Sequence, residues 1–280
     1  MTPSGNDSAE NPYSTLPSIG PYPAAIGSAL ITMVEPHEGH DRAYNRWYED
    51  DHFYSGAMAM PWMFAGRRWV APRSLQDLRY PEGSAIAQPL DAGKYLATYW
   101  ITDGRYDDHM RWTVATNQRL LPDGRIYLDR THVYTSFQTF RDAVYRDASG
   151  PRALHSLDYP YQGLVLEVVD APDGGDRDEL ARWLREEHLP ARMAGTPVAM
   201  TLVFAPNPLP ADRMSYVDDV PGIERRLTLL SFTEVPPDRC WDEIAPTGDA
   251  VAAAGQGRVE LAAPFVPTLP GTDTYVDELR

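Results

Sequence analysis

The chain has 280 residues, 43% of them hydrophobic and 23% charged, with 40 acidic against 25 basic side chains and a formal net charge of −15. That composition suits a globular protein and excludes wholesale disorder, and without a basic stripe it excludes phosphate neutralisation, so no nucleic-acid partner is expected and a small-molecule ligand is. Cys240 is the only cysteine, which excludes an intrachain disulfide framework, and with no leader-like start or apolar run of about 18 residues the expectation is a cytoplasmic protein that makes no membrane contact.

In chain order, residues 1–24 mix Pro, Ser, Gly and Asn with little periodicity and predict a flexible N-terminal arm. A first unit over 25–140 then reads strand (28–34), helix (through Arg46 to His52), strand (63–70), a long loop (71–93), strand (95–101), helix (103–120) and strand (126–135). Residues 141–160 read as a linker. A second unit over 161–280 repeats the order: strand (163–169), a helix opened by Asp176 with Glu179 three residues on, strand (198–204), loop (206–225), strand (227–232), a helix (238–254) interrupted by Pro246, and strand (259–265).

The two units are copies. Arg46-Trp47-Tyr48-Glu49-Asp50-Asp51-His52 aligns without a gap on Arg182-Trp183-Leu184-Arg185-Glu186-Glu187-His188, an offset of 188 − 52 = 136, and Pro61 falls on Pro197 at the same offset. The predicted fold class is α+β: two ferredoxin-like β-α-β-β-α-β repeats whose sheets close into one intrachain α/β barrel, which removes their exposed edges.

At 100° per residue, Tyr44, Trp47, Tyr48 and Asp51 share one stripe of the first helix with His52 at its edge. Leu180, Trp183, Leu184 and Glu187 share that of the second with His188 beside it. An acid is therefore expected on each core-facing side, where it must be paired or bonded. Two readings follow. Either the acid and tryptophan are structural, or carboxylate and imidazole open together into a cavity and exchange protons with a ligand.

The tryptophan, paired acids and histidine of this helix, followed by proline and a strand, resemble the EthD-like branch of the dimeric α/β-barrel superfamily over both halves. That resemblance implies a pocket between sheet and helices in each half, in a family that includes cofactor-independent dehydratases, decarboxylases, isomerases, cyclases and monooxygenases alongside members of no known activity. Trp47, Asp51 and His52, and Trp183, Glu187 and His188, match the motif. The first copy departs after its histidine, with Phe53-Tyr54 where the second has Leu189-Pro190.

Further candidates come from strand alternation. Glu167 shares a face with Val165 and Val169, either as a general acid or base or as a barrel-interior residue satisfied by Arg or Tyr. Arg130, His132 and Tyr134 alternate as a polar trio able to hold a carboxylate or phenol, and Tyr48 and Tyr99 are candidate walls. The Glu35-Pro-His37-Glu38-Gly-His40-Asp41 loop reads as solvated rather than as a metal site, Cys240 as a small buried hydrophobe, and no histidine stands out as a haem ligand. The expected function is a cofactor-independent lyase or isomerase acting on a small hydrophobic or aromatic oxygenated molecule. Catalysis falls to His52, His188, Asp51, Glu187 and Glu167, and substrate binding to Trp47, Tyr48, Trp183, Tyr99, Arg130, His132 and Tyr134. A non-catalytic binding or assembly protein and a cofactor-free or haem monooxygenase are the alternatives, with a second copy of the chain as a candidate partner.

Overall fold

The computed structural model describes residues 24–208 and 222–280; the expected arm, save Ala24, and most of the 206–225 loop lie outside that range. The first half supplies β1 (Ile26–Pro36), α1 (Asp41–Trp47) continuing as π-helical turns over Tyr48–Met58, β2 (Met63–Val70), α2 (Arg73–Gln76), β3 (Tyr95–Thr102), α3 (Tyr106–Leu120) and β4 (Arg130–Tyr145). The second supplies β5 (Gly163–Asp170), α4 (Arg177–Trp183) with a π turn over Leu184–His188, α5 (Leu189–Met193), β6 (Val198–Pro206), β7 (Arg226–Thr233), α6 (Trp241–Ile244), α7 (Thr247–Ala253) and β8 (Arg258–Pro267).

All eight strands form one closed antiparallel barrel in the order β1-β3-β2-β8-β5-β7-β6-β4. Each half thus contributes a ferredoxin-like sheet, β4-β1-β3-β2 and β8-β5-β7-β6. Two seams join them. The β4–β6 seam runs from Gln138↔Pro206 to Tyr145↔Met200, whereas the β2–β8 seam has only Trp69↔Pro267 and Val70↔Val266. Beside the short seam, the segment after β2 adds a bridge from Tyr80 to Ala262.

β5 is buried at every position because both its faces are covered. Leu164, Leu166 and Val168 point into the barrel, and Val165 and Val169 point under the helices of the second half. The barrel interior is a single apolar cluster drawn from both halves, with Trp100 stacked on Phe204 at 5.3 Å and Trp69 edge-on to Phe232 at 6.0 Å. Separate clusters fill the helix–sheet layer of each half. The segment after β8 returns to the first half, where Leu279 is fully buried and Arg280 bonds Asp41 at 2.7 Å.

Two elements differ from expectation, and one cap agrees with it. The last strand of the first half was expected at 126–135, yet β4 starts at Arg130 and runs ten residues further, through the opening of the predicted linker, because Gln138–Tyr145 is the edge that β6 needs to close the barrel. The helix expected at 238–254 is a turn followed by α6 and α7, since Pro246 has no N–H to continue the ladder. Asp176 caps α4 as expected, accepting from the Asp178 N–H at 2.8 Å.

Candidate functional site

The repeated helix widens directly after its tryptophan in both halves, at Tyr48 and at Leu184. A π turn brings residues five apart, rather than four, onto one face. Trp47 therefore stacks on His52, with ring centroids 4.3 Å apart and planes at 20°, and Trp183 stacks on His188 at 5.0 Å and 17°. The same widening overturns the expectation of core-facing acids. Asp51 leaves 36% of its side chain exposed and bonds Arg125 and Ser55 at the surface, which holds its carboxyl below the usual range, and Glu187 is exposed to solvent. Neither acid is directed inward with its histidine.

In the first half, His52 lies between Trp47 and Gly56, so close that a Cβ on Gly56 would meet the imidazole Nδ1 at 2.3 Å. Among the described residues no hydrogen-bond partner holds either ring nitrogen. Burial first, then the nearby Arg130 guanidinium, depress its pKa to about 3, and burial and Arg130 do the same to His132. Arg130 lies over the Trp47 ring at 4.7 Å and has no carboxylate partner among the described residues. His132 Nδ1 contacts Thr135 Oγ1 at 2.7 Å, and the Tyr48 and Tyr99 hydroxyls share a hydrogen bond of 2.7 Å below the helix.

The expected trio on β4 is split. Tyr134 faces Met33 while His132 faces Val34, so Val133 is an extra residue in the ladder. This bulge leaves Arg130 and His132 beneath the helix but turns Tyr134 into the barrel, where its hydroxyl meets Thr228 at 2.7 Å.

In the second half, Glu167 is not in the barrel interior. It stands under the helices, 0% exposed, and pairs with Arg192 at 3.0 and 2.7 Å. Arg192 also donates to Thr247 at 2.5 Å and Ser231 at 2.6 Å. Burial and then Arg192 push the pKa of His188 down to about 4, and its Nε2 is buried without a hydrogen-bond partner among the described residues. Arg192 stands at the repeat offset from Gly56, 192 − 56 = 136. One copy fills the space beside its histidine with a buried ion pair; the other leaves it to glycine. Comparing the repeats position by position beyond the histidine exposes this difference, which the helix wheel misses.

No protein-family model matches the chain, and no curated protein matches it. Solved structures do. An anthrone oxidase-like protein superposes with a TM-score of 0.53 at 9% identity, covering 88% of this chain and 92% of its own. A DypB variant from Rhodococcus jostii RHA1 in complex with heme superposes at 0.50 and 11% identity, over 91% and 94%. The fold is that of the dimeric α/β-barrel proteins. In this barrel both halves come from one chain, as expected.

The described residues of the barrel do not fit a haem. Of the repeated pair, His188 has a buried Nε2 with no hydrogen-bond partner among the described residues, and its layer is closed by Arg192, Glu167 and the fully buried Leu184, Ile244 and Val251. His52 is covered on its ring by Trp47 and crowded at Nδ1 by Gly56. No group of three His, Cys, Asp or Glu among the described residues is placed to hold a metal ion. The remaining histidines are engaged locally: His40 with the Tyr127 hydroxyl at 2.8 Å, His37 with Thr131 at 3.2 Å, the buried His109 with the Pro61 carbonyl at 2.9 Å, and His155 Nδ1 as acceptor from the Arg152 N–H at 3.2 Å. No helix among the described residues is long and apolar enough to cross a membrane.

Proposed function

We propose that the chain is an EthD-like proton-transfer enzyme of the lyase or isomerase type, working without a cofactor at the first-half site. Its substrate is a small aromatic or polyketide-like molecule with an enolisable or phenolic oxygen. The observation that carries this reading is a guanidinium, Arg130, with no carboxylate partner among the described residues, beside two imidazoles, His52 and His132, kept neutral by burial and by Arg130 itself.

Arg130 binds the substrate oxygen and stabilises negative charge as it develops there. Neutral imidazole donates a hydrogen bond to such an oxygen without being consumed as an acid. Once Arg130 is neutralised by the bound oxygen, its depressing effect on the imidazoles is relieved and a substrate anion raises them towards neutrality. His52 then takes a proton from substrate carbon or hydroxyl and returns it to the neighbouring atom or the leaving group. Placement of this kind contributes roughly 10² to 10⁴-fold. Trp47, with Tyr48 and Tyr99 below it, forms the aromatic wall.

The second-half residues serve stability in this reading. Glu167 and Arg192 neutralise each other out of reach of solvent, so His188 has neither a free base nor a free cation beside it. Asp51 and Glu187 stay at the surface.

The test is deuterium incorporation from D2O into a panel of aryl ketones and phenols, followed by mass spectrometry. His52→Ala and Arg130→Met should each slow exchange by about 10²-fold or more, while His188→Ala leaves it within about threefold. Unchanged exchange in folded His52→Ala and Arg130→Met proteins refutes the reading. Oxygen uptake in the same assay would instead direct the substrate anion to the oxygenase alternative.

A further inference from the structure

Away from both histidines, one face of α3 and the neighbouring Trp62 line an open groove of about 580 Å³. The α3 residues in it are Asp108, Arg111, Trp112, Ala115, Thr116 and Arg119. Trp112 is 55% exposed, a large apolar ring in water, whereas Trp69, Trp100 and Trp241 are buried. Trp62, with φ of 73°, is held at the groove wall with Arg105 stacked on its ring at 4.6 Å.

We propose that this face docks a second copy of the chain, with the two α3 helices antiparallel about a two-fold axis. Under such an axis, whatever residue i meets, its counterpart meets residue i in return, so the face must complement itself. This one does. About a centre between Thr113 and Val114, antiparallel pairing sets Trp112 against Ala115 of the other copy, Arg111 against Thr116, and Asp108 against Arg119. The large ring meets the small side chain, and opposite charges meet at both ends. The helix dipoles also oppose. Arg119 has no ion pair within its own chain among the described residues, and Asp108, held by Arg105 and Arg111, keeps 35% of its side chain exposed. A partner of net negative charge would otherwise be repelled by a chain of −15; here the contact is made where that charge is locally offset by arginines. A single helix face is smaller than a standard interface of about 1,600 Å², so the association is weak, with a dissociation constant on the order of 10 to 100 µM.

Sedimentation velocity of the full chain between about 1 and about 500 µM reads this directly, with the mass moving from 31.3 kDa towards twice that value. Trp112→Glu, at an exposed position and with its fold checked by circular dichroism, should weaken association by at least about tenfold, as should Asp108→Arg and Arg119→Glu singly. An equimolar mixture of Asp108→Arg and Arg119→Glu proteins should associate again, because each then offers the other's missing charge at both ends. The proposal is overturned by a native chain that stays at one-chain mass throughout, by association that Trp112→Glu leaves unchanged, or by a mixture that gains nothing over its separate components.

Discussion

His52 and His188 are stacked on tryptophans five residues earlier, and their protonation is linked to stability in a definite direction. Folding lowers their pKa values to about 3 and about 4 from about 6.5 in the unfolded chain, and His132 follows His52. Between these limits the unfolded state binds the extra proton. Stability is therefore whole above about pH 6.5 and falls as pH drops through the window, by up to about 1.4 kcal/mol per pH unit per histidine. Urea midpoints measured at pH 7, 5.5 and 4.5 should fall steadily, and His188→Gln should flatten the curve. The Glu167–Arg192 pair makes a second test at this scale. Arg192→Met strands a carboxylate with no access to water and should cost roughly 3 to 5 kcal/mol, whereas the Glu167→Gln, Arg192→Met double variant should recover much of it, read from chemical denaturation. Cys240, whose thiol burial pushes up to about 11, should resist thiol reagents until the chain unfolds.

Among the elements, the π turns after α1 and α4 decide where the chemistry points. An α-helical wheel places Asp51 and Glu187 inward; the wider turn carries them out and brings the imidazoles in. Gly56 allows the first of these turns to close on His52. Gly56→Ala should drive its methyl into the ring, cost about 1 to 3 kcal/mol, and slow deuterium exchange more than it lowers the melting midpoint would suggest, since it displaces His52 itself. The bulge at Val133 acts similarly on β4. One extra residue separates Tyr134, which serves the barrel interior, from His132 and Arg130, which serve the helix layer. No alternation pattern reveals such an insertion, because the pattern presumes an unbroken ladder.

At the level of the whole molecule, the two halves share one apolar interior, so they should not unfold independently. Trp100→Ala removes the stacking partner of Phe204 across the halves and should cost about 3 to 5 kcal/mol. Its unfolding should remain a single transition, with tryptophan fluorescence and far-ultraviolet circular dichroism coincident; two separated transitions would show that the halves are autonomous. The long β4–β6 seam, the short β2–β8 seam and the Leu279 anchor on the first half are consistent with that cooperativity.

The repeat at an offset of 136, the order of strands and helices, and the barrel they form were all legible in residues, because duplication and apolar runs are local properties of a chain. The stacked tryptophan and histidine were legible as a pair but not in their facing. That depends on a change of helical pitch, which no single residue type announces and which tertiary packing selects. The buried pairing of Glu167 with Arg192, 25 residues apart, and the approach of Arg130 to Trp47 and to the imidazoles, arise only when β4, β5 and the helices are laid over one another. Sequence determined that each half carries a histidine helix over a sheet; the tertiary structure decided that one half closes its space with an ion pair while the other holds a guanidinium with no carboxylate partner among the described residues, because charge neutralisation depends on distances in space rather than along the chain.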